Sequence, residues 1–450
     1  MIIKNLKTLA VTPERELVLS LAEHGISSVL PPKVFKDFIQ IHGDFLLTKN
    51  KKYTIKNKRI FVVGAGKASA AMAEAIEEII GPERITAGVV LSNDTNIQTE
   101  KIDIVRADHP IPSEENIVAT KRLLALKEKY TIAEDDIVIG LISGGGSAML
   151  TCPVLGITLA DKQKMTELLL ARGASGYENT TLKTKLSSVK GGGLAEHFSP
   201  AQIISLVLSD DNGEATHEMT ASGPFSSDPT TPKDALAILK KLDLIYTAPP
   251  HIPAFLRSLE STIPVGKEYS HVDQIIVAHN EMILKNITLL AKENDIDVIV
   301  EPRMRGEARE VAYQICSDIR NSPVNRPTLF LYGGETKVTL EYAHKKGGRN
   351  QEFIVACLQY FHDNPLGGKW CVASMSTDGV DFIQNSAGGV IDNTSLNLAR
   401  EQGLDVAISS FLKVHKTGRL LEKINSNICI GGPTGTNVGD VVLFYVNPHA

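Results

Sequence analysis

Seven times along this 450-residue chain, a short run of β-branched and aliphatic residues stops abruptly at glycines or polar residues, and a helical pattern often follows. "RIFVVGAGKASAAMAEAIEEII" reads as strand, glycine loop and helix. "DDIVIGLISGGGSAML" is strand and glycine loop, "AQIISLVLSDDNGE" strand and acidic loop, and "QIIVAHNEMILKNITLLAKEN" strand and then a helix capped near Asn280. Further on, "PTLFLYGGETKVTLEY" reads as two strands around a Gly-Gly turn, "WCVASMSTDGVD" as strand and acidic loop, and "NICIGGPTGTNVGDVVLFYV" as strand, glycine-rich loop and strand. The runs are continuously apolar, so their strands must be covered on both faces. Such strands alternating with helices predict an α/β protein. Ligands of these sheets sit beyond the carboxyl ends of the strands, and the residues able to do chemistry crowd there.

Apolar residues at helical spacing between 14 and 47 predict one or two helices before the first strand. The Pro-, Ser- and Thr-rich stretches "GPFSSDPTTPKDA" and "YTAPPHIPAF" predict a boundary between about residues 225 and 270, and "CSDIRNSPVNRPT" a second break at 316 to 328. The expected division is a large N-terminal domain over 1–265, a connecting strand–helix region over 266–325, and a smaller C-terminal domain over 326–450. A formal charge of -5 argues against bulk nucleic-acid binding. No segment reaches the roughly 18 consecutive apolar residues of a membrane span, and the first residues lack a signal-peptide core. The five cysteines form no C-x-x-C pair, so a zinc site is not expected and a reducing, cytoplasmic setting is. The sequence leaves a homo-oligomer open.

The strand-end motifs carry the functional reading. In "VVGAGKASA", Gly64 and Gly66 precede a helix whose first N–H groups can receive an anion, and Lys67 projects from the loop. Ser69 replaces the third glycine of a dinucleotide fingerprint, and Ala68 stands where a P-loop needs Ser or Thr, so neither motif is met. The alternative is a tight turn with an exposed lysine. "ISGGGSAML" places Gly144, Gly145 and Gly146 between Ser143 and Ser147, which allows close backbone approach to a phosphate or carboxylate. In "KLSSVKGGGLAEHF", Gly191 reads as a helix C-cap, or Lys190 before it as a phosphate contact. Asp210 and Asp211 in "LSDDNGE", and Asp378 in "STDGVD", can bind Mg²⁺ or accept a hydroxyl proton, or can simply hold Asx turns. "GGPTGTNVGD" offers Thr434, Thr436, Asn437 and Asp440 to a phosphate or polyol, unless it is only a β-hairpin. His109, before a proline, reads as a loop residue.

In "HKKGGRNQEF", Lys345 and Lys346 read as a solvated face, while Asn350 reads as the N-cap of the following helix. Arg349 then stands at a helix N-terminus, where the dipole disfavours a cation. On two glycines with nothing of its own to pack on, it reads as an unpaired charge awaiting a phosphoryl group or a carboxylate.

Taken in order, "VGAGKASAAMA", "ISGGGSAML", "GITLADKQ", "LSSVKGG", "ASGPFSSDPTT", "YGGETKVTL", "GGRNQEF", "STDGVDFIQNSAGGVID" and "GGPTGTNVGD" resemble the class II glycerate kinases, the two-part family with a MOFRL C-terminal domain, over nearly the whole chain. The resemblance implies a Rossmann-like parallel-sheet N-terminal domain and a smaller mixed α/β C-terminal domain, with the active site in the cleft between them. It implies ATP-dependent phosphorylation of D-glycerate, usually at the 2-hydroxyl, with a divalent metal such as Mg²⁺. The family's essential lysine and arginine fall on Lys67 and Arg349; Ser143, Ser147, Lys190, Asp210, Glu335, Asn350, Glu352, Asp378 and Asn437 match other motif positions. Asp210 or Asp378 is then the metal ligand or the base. Departures fall at Lys183, Thr184 and Lys185, where an Asn-Thr-x-Arg-Lys-His-like run is usual, at Asp211 and at Gly439. An NAD(P)-dependent hydroxypyruvate reductase is the rival expectation; Asp94 is its one late candidate for the ribose-binding acid.

Overall fold

The structure, a computed structural model, describes residues 1–49, 51–210, 216–259, 266–339, 347–383 and 385–448. Asp211, Lys345 and Lys346, named above, lie outside these. The chain divides into two compact units, one running from Pro31 to Ala278 and the other joining Met1–Leu30 to His279–Ala450.

The first unit is built on six parallel strands: β1 Ile60–Ala65, β2 Ile85–Ser92, β3 Ile102–Arg106, β4 Ile137–Ser143, β5 Gln202–Leu208 and β6 Val272–Ala278. Their spatial order is β3-β2-β1-β4-β5-β6. Every residue of β1 and β4 is buried, as the continuous apolar runs require. Phe61, Val63 and Ile142 join Leu123 and Leu126 of helix Glu114–Tyr130 and Phe198 of helix Gly193–Phe198 in one core. The order reverses between β1 and β4, and such a switch point leaves a crevice at the strands' carboxyl ends. The loops after β1 and β4 are Gly66–Ala68 and Gly144–Gly145.

Asp136 anchors the other end of the sheet. It takes Arg59 Nε at 2.8 Å and Nη2 at 2.7 Å, and the Ala133 N–H at 2.8 Å. Burial would raise its pKa, but the arginine and the N–H outweigh burial and hold it below the ordinary value. A depressed carboxylate contributes stability above its unfolded pKa of about 3.9 and loses it as pH falls through the folded value. Asp136→Asn is therefore expected to cost about 1–2 kcal/mol at neutral pH, because Arg59 is exposed enough to be rehydrated, and to flatten the acid limb. Urea midpoints at neutral pH and at about pH 3 check both effects.

Helices Leu159–Ala171, Gly176–Lys185, Pro232–Lys241 and His251–Leu259 pack around Leu169, Leu182, Leu239 and Leu256. Three of them start from reciprocal caps: Thr158 with Asp161, Ser175 with Glu178, and Thr231 with Asp234. The Pro-rich stretch expected as a boundary is thus part of this cluster, because its prolines begin and space helices. Residues 39–48, read above as helix, form an antiparallel hairpin, Ile39–His42 with Phe45–Thr48, turned at Gly43 with φ +58°.

The second unit holds a mixed sheet: β7 Asp297–Glu307, β8 Thr328–Lys337, β9 Lys369–Ser376, β10 Gly388–Asp392, β11 Asn427–Ile428 and β12 Asp440–Asn447. The order is β7-β8-β12-β9-β10-β11, with only β7 and β8 parallel. The expected Gly-Gly turn does not form; β8 runs straight through Gly333 and Gly334. A Cβ at Gly333 would strike the Asn280 side chain, and one at Gly334, at φ +146°, would strike the Met304 backbone. These glycines admit neighbours rather than reverse the chain. The loop before β12 is no hairpin either, since β12 pairs with β8 and β9.

The sequence-based division at 265 and 325 differs from these units. β6, at 272–278, completes the parallel sheet, and the N-terminal helix Pro13–Ser28 belongs with the mixed one. Its Arg15 is fully buried, pairing with Asp392 at 3.2 Å and bonding to Asn425 O and the Ser395 and Ser426 hydroxyls.

Candidate functional site

In the parallel-sheet unit the structure joins the two glycine motifs at the switch point. Gly64 lies inside β1, where a Cβ would collide with the Leu141 backbone, so its role is close strand packing. Gly66, at φ +146°, faces Ser143 in the same way. The Lys67 N–H donates to Gly144 O at 2.9 Å, and Ser143 Oγ accepts the Ala68 N–H at 3.1 Å. Ser69, standing for the third glycine, contacts Ser143 Oγ at 3.0 Å and donates to Leu141 O at 3.0 Å. Ser143 is wholly buried and fastens one loop to the other. Lys67 lies over Gly145 beside His109, since a Cβ on Gly145 would lie 3.1 Å from Lys67 Cγ and 3.2 Å from His109 Cδ2. His109, read as a bare loop residue, thus shares this spot.

Gly145 has φ +84°, and Gly146 packs too closely on Ala65 O and Ala221 for a side chain. Ser147 Oγ lies 2.8 Å from Ser222 Oγ. Ala221, Ser222 and Gly223 have φ of +54°, +62° and +57°, a run of left-handed backbone costly for the two non-glycine residues. The loop holding Lys190, between helices Gly176–Lys185 and Gly193–Phe198, secures it: Gly191 and Gly192 N–H groups donate to Ser222 O and Gly223 O. Gly191 is therefore not a helix cap; helix Gly176–Lys185 ends earlier, at Leu186. Lys190 is 3% exposed and donates to Leu150 O, and burial together with Lys162 and Lys183 pushes its pKa well down. Asp210 follows β5 and is partly buried. Of the departures, Thr184 bonds back to Thr180 O, and Lys185 pairs with Asp228 at 2.5 Å.

In the mixed-sheet unit the centre is Arg349, first residue of helix Arg349–Asp363. The expectation of an unpaired cation is overturned. Arg349 Nε and Nη2 grip Asp440 at 2.5 and 2.8 Å, and Nη1 meets Glu335 at 2.8 Å. Sheet register explains the meeting, because Asp440 opens β12 opposite Gly334. Burial works against the charge, but Asp440 and Glu335 outweigh it and hold the guanidinium pKa well above its ordinary value. Three of the five guanidinium N–H donors are engaged among the described residues, and the side chain is 27% exposed.

Asn350 is not the cap either. Gly348 takes that position, and Asp381 caps from a distant loop, accepting the Asn350 and Gln351 N–H groups at 3.1 and 2.8 Å. Asn350 turns inward to Ser374 and Asp381. Asp381 is 1% exposed; burial first, then Asp440, pushes its carboxyl up to about 7, against the pull of Arg349 and the two N–H groups. It lies in the quoted "STDGVD" motif, but its role shows only once the fold brings it to the helix.

Glu352 turns from this cluster to Arg309 at 2.6 Å and His415 at 3.5 Å. It borders a cavity of about 540 Å³ with Lys337 and Lys413. Asp378 Oδ1 accepts the Ser376 hydroxyl at 2.8 Å and the Val380 N–H at 3.0 Å, the Asx-type arrangement foreseen as its alternative. Thr434 ties its loop to this one through Thr377 O, Thr436 bonds to Val29 O, and Asn437 is buried. Gly439 has φ +83°, which suits glycine at that departure. Among the described residues, no three acidic, histidine or cysteine side chains group as a metal cage.

Residues 17–257 match a family described as a domain of unknown function (DUF4147), and residues 328–440 match the MOFRL family. Glycerate 2-kinase of Pyrococcus horikoshii is 33% identical over 443 residues, 96% of this chain and 97% of that one. A putative hydroxypyruvate reductase of Agrobacterium vitis is 36% identical over 390 residues, 85% and 98%. The crystal structure of glycerate kinase from Thermotoga maritima superposes with a TM-score of 0.76 at 30% identity, covering 96% of this chain and 99% of that one. With both motif sets in place and kinship along nearly its whole length, the chain belongs to the MOFRL family of glycerate 2-kinases.

Proposed function

We propose that the chain transfers the γ-phosphoryl group of ATP to D-glycerate, at the 2-hydroxyl, giving 2-phosphoglycerate and ADP. The observation that carries this is the full-length kinship with glycerate 2-kinase at 33% identity. The joined glycine loops at the switch point support it, since they set Lys67 over Gly145 beyond the carboxyl ends of β1 and β4, where ligands of such sheets sit. The hydroxyl oxygen attacks the γ-phosphorus, and the bond to the bridging oxygen breaks with its electron pair leaving on ADP. The hydroxyl proton passes to a carboxylate, Asp210 or Asp378. The transition state is loose, so positioning and charge neutralisation do most of the work. Lys67 is assigned to the transferring phosphoryl group. Arg349, already fixed by Asp440 and Glu335, offers its remaining N–H donors to that group or to the carboxylate of glycerate.

Magnesium commonly arrives on nucleotide phosphates and takes only one or two protein carboxylates. Asp210 after β5 and Asp378 after β9 are carboxylates at strand ends, so one of them would hold it. Bound there, it would neutralise phosphate charge.

An enolase-coupled assay tests the regiochemistry. Enolase converts 2-phosphoglycerate directly, whereas 3-phosphoglycerate first needs a mutase. Signal without mutase is expected; signal only after mutase is added would reassign the reaction to the 3-hydroxyl. The kinship with the Agrobacterium protein keeps a reductase as the rival. Against it, Asp94, just past β2, is nearly buried and occupied by the Asn96 N–H and side chain. Oxidation of NADH by hydroxypyruvate without ATP would favour the rival.

A further inference from the structure

The parallel-sheet unit buries more lysine than it balances. Lys185 shows how this fold treats a structural lysine: it is 6% exposed, with Asp228 at 2.5 Å and Thr230 O at 2.6 Å. Three others differ. Lys162 is 7% exposed and reaches only Leu186 O at 3.3 Å, and Lys190 is 3% exposed and reaches only Leu150 O. Lys183 is partly buried and has no side-chain hydrogen bond or ion pair among the described residues.

No carboxylate enters the electrostatics of the three. Burial is the first cause lowering each, and Lys190 additionally feels Lys162 and Lys183. Burial and Lys183 bring Lys162 down to about 8. Lys162 and Lys183 line one cavity of about 20 Å³ with Ser147, Thr151 and Thr166. Ser147 lies two residues beyond the glycine loop over which Lys67 lies. Helix Leu159–Ala171 fixes Lys162 there: its cap at Thr158 and Asp161 sets the phase, and Lys162, Met165, Thr166 and Leu169 form the buried stripe. A buried lysine without a carboxylate is costly as a cation, and an anion entering beside it would hold its charge.

We propose that this cavity seats the carboxylate of the small hydroxy-acid substrate, with Lys162 and Lys183 as its ligands. The proposal rests on the kinase reading for the substrate's identity. The cavity's size favours a carboxylate end over a phosphoryl group, because about 20 Å³ holds little more than one water-sized group.

The test compares wild type with Lys162→Met, Lys183→Met and Lys183→Arg, by steady-state kinetics and by thermal melting without ligand, with D-glycerate, and with inorganic phosphate or ATP. In both methionine variants the KM for D-glycerate is expected to rise at least about tenfold, with the KM for ATP within about twofold. Their ligand-free melting temperature should stay level or rise, since like charges are being removed. The glycerate-induced shift should vanish and the ATP-induced shift remain, while Lys183→Arg should recover part of the glycerate affinity. A structural lysine would behave oppositely, so a methionine variant that melts earlier or fails to fold overturns the proposal. So does an unchanged glycerate KM, or a loss confined to phosphate and ATP. Failure of the kinase reading is separable: wild type would then form no phosphoglycerate, while the glycerate-induced shift would still report on the cavity.

Discussion

Arg349→Ala is expected to destabilise the mixed-sheet unit by about 3–5 kcal/mol as well as to cut turnover with D-glycerate and ATP by at least about tenfold. From the sequence alone, the substitution reads as one the fold survives. The ion pair reverses that expectation. Asp440 has 0% side-chain exposure and would lose both guanidinium bonds, leaving a buried charge without a partner. Asp381, also buried and already pushed up to about 7, would lose the cation that counters its rise. A raised carboxyl pKa favours the folded state below the unfolded value of about 3.9, and that advantage is lost as pH rises through the folded value. In the alanine variant the loss should extend above neutrality, so its urea midpoint should fall more steeply there than that of wild type. Adding Asp440→Ala should restore much of the stability by removing the stranded charge, but not the turnover. Arg349→Lys keeps a charge without the two-pronged grip and should fall between. An alanine variant as stable as wild type would overturn the ion-pair account, and one with undiminished turnover would remove Arg349 from the reaction.

Lys67→Ala is the complementary case. Here turnover should fall at least about tenfold, roughly 1.4 kcal/mol in barrier or more, while the fold survives. The turn around it is held by main-chain and serine contacts, Lys67 N–H to Gly144 O and Ala68 N–H to Ser143 Oγ, which the substitution leaves in place. Thermal melting alongside the coupled kinase assay checks the split; near-wild-type turnover would sink the role assigned to Lys67.

The parallel sheet was legible because strands covered on both faces leave continuous apolar runs, and the glycine motifs at their ends located the switch-point loops. Other features resisted reading because one residue type serves two physical purposes. Gly333 and Gly334 look like a turn but make room for Asn280 and the Met304 backbone. Prolines near 232 and 253 look like a linker but lie within helices. Asn350 has the right chemistry for a cap, yet Asp381, 31 positions on, takes the work. Whether a charge is paired is a tertiary fact, so Arg349 looked bare. Lys162 did leave a trace: a lysine in phase with Met165 and Leu169 on the buried stripe of its helix.

The grouping of Met1–Leu30 with His279–Ala450 bears on how the molecule is made. Helix Pro13–Ser28 is synthesised well before its partners, since Arg15 finds them 380 and 410 residues later. At about 5–20 residues per second, that is a wait of roughly 20–80 s. During that wait the whole Pro31–Ala278 segment is synthesised. The helix must therefore stay available, with its apolar stripe unburied by its own unit, until those partners emerge. Vectorial synthesis thus makes this early helix one of the later elements to be secured, and a chain released early would leave it orphaned for chaperones or proteases to find.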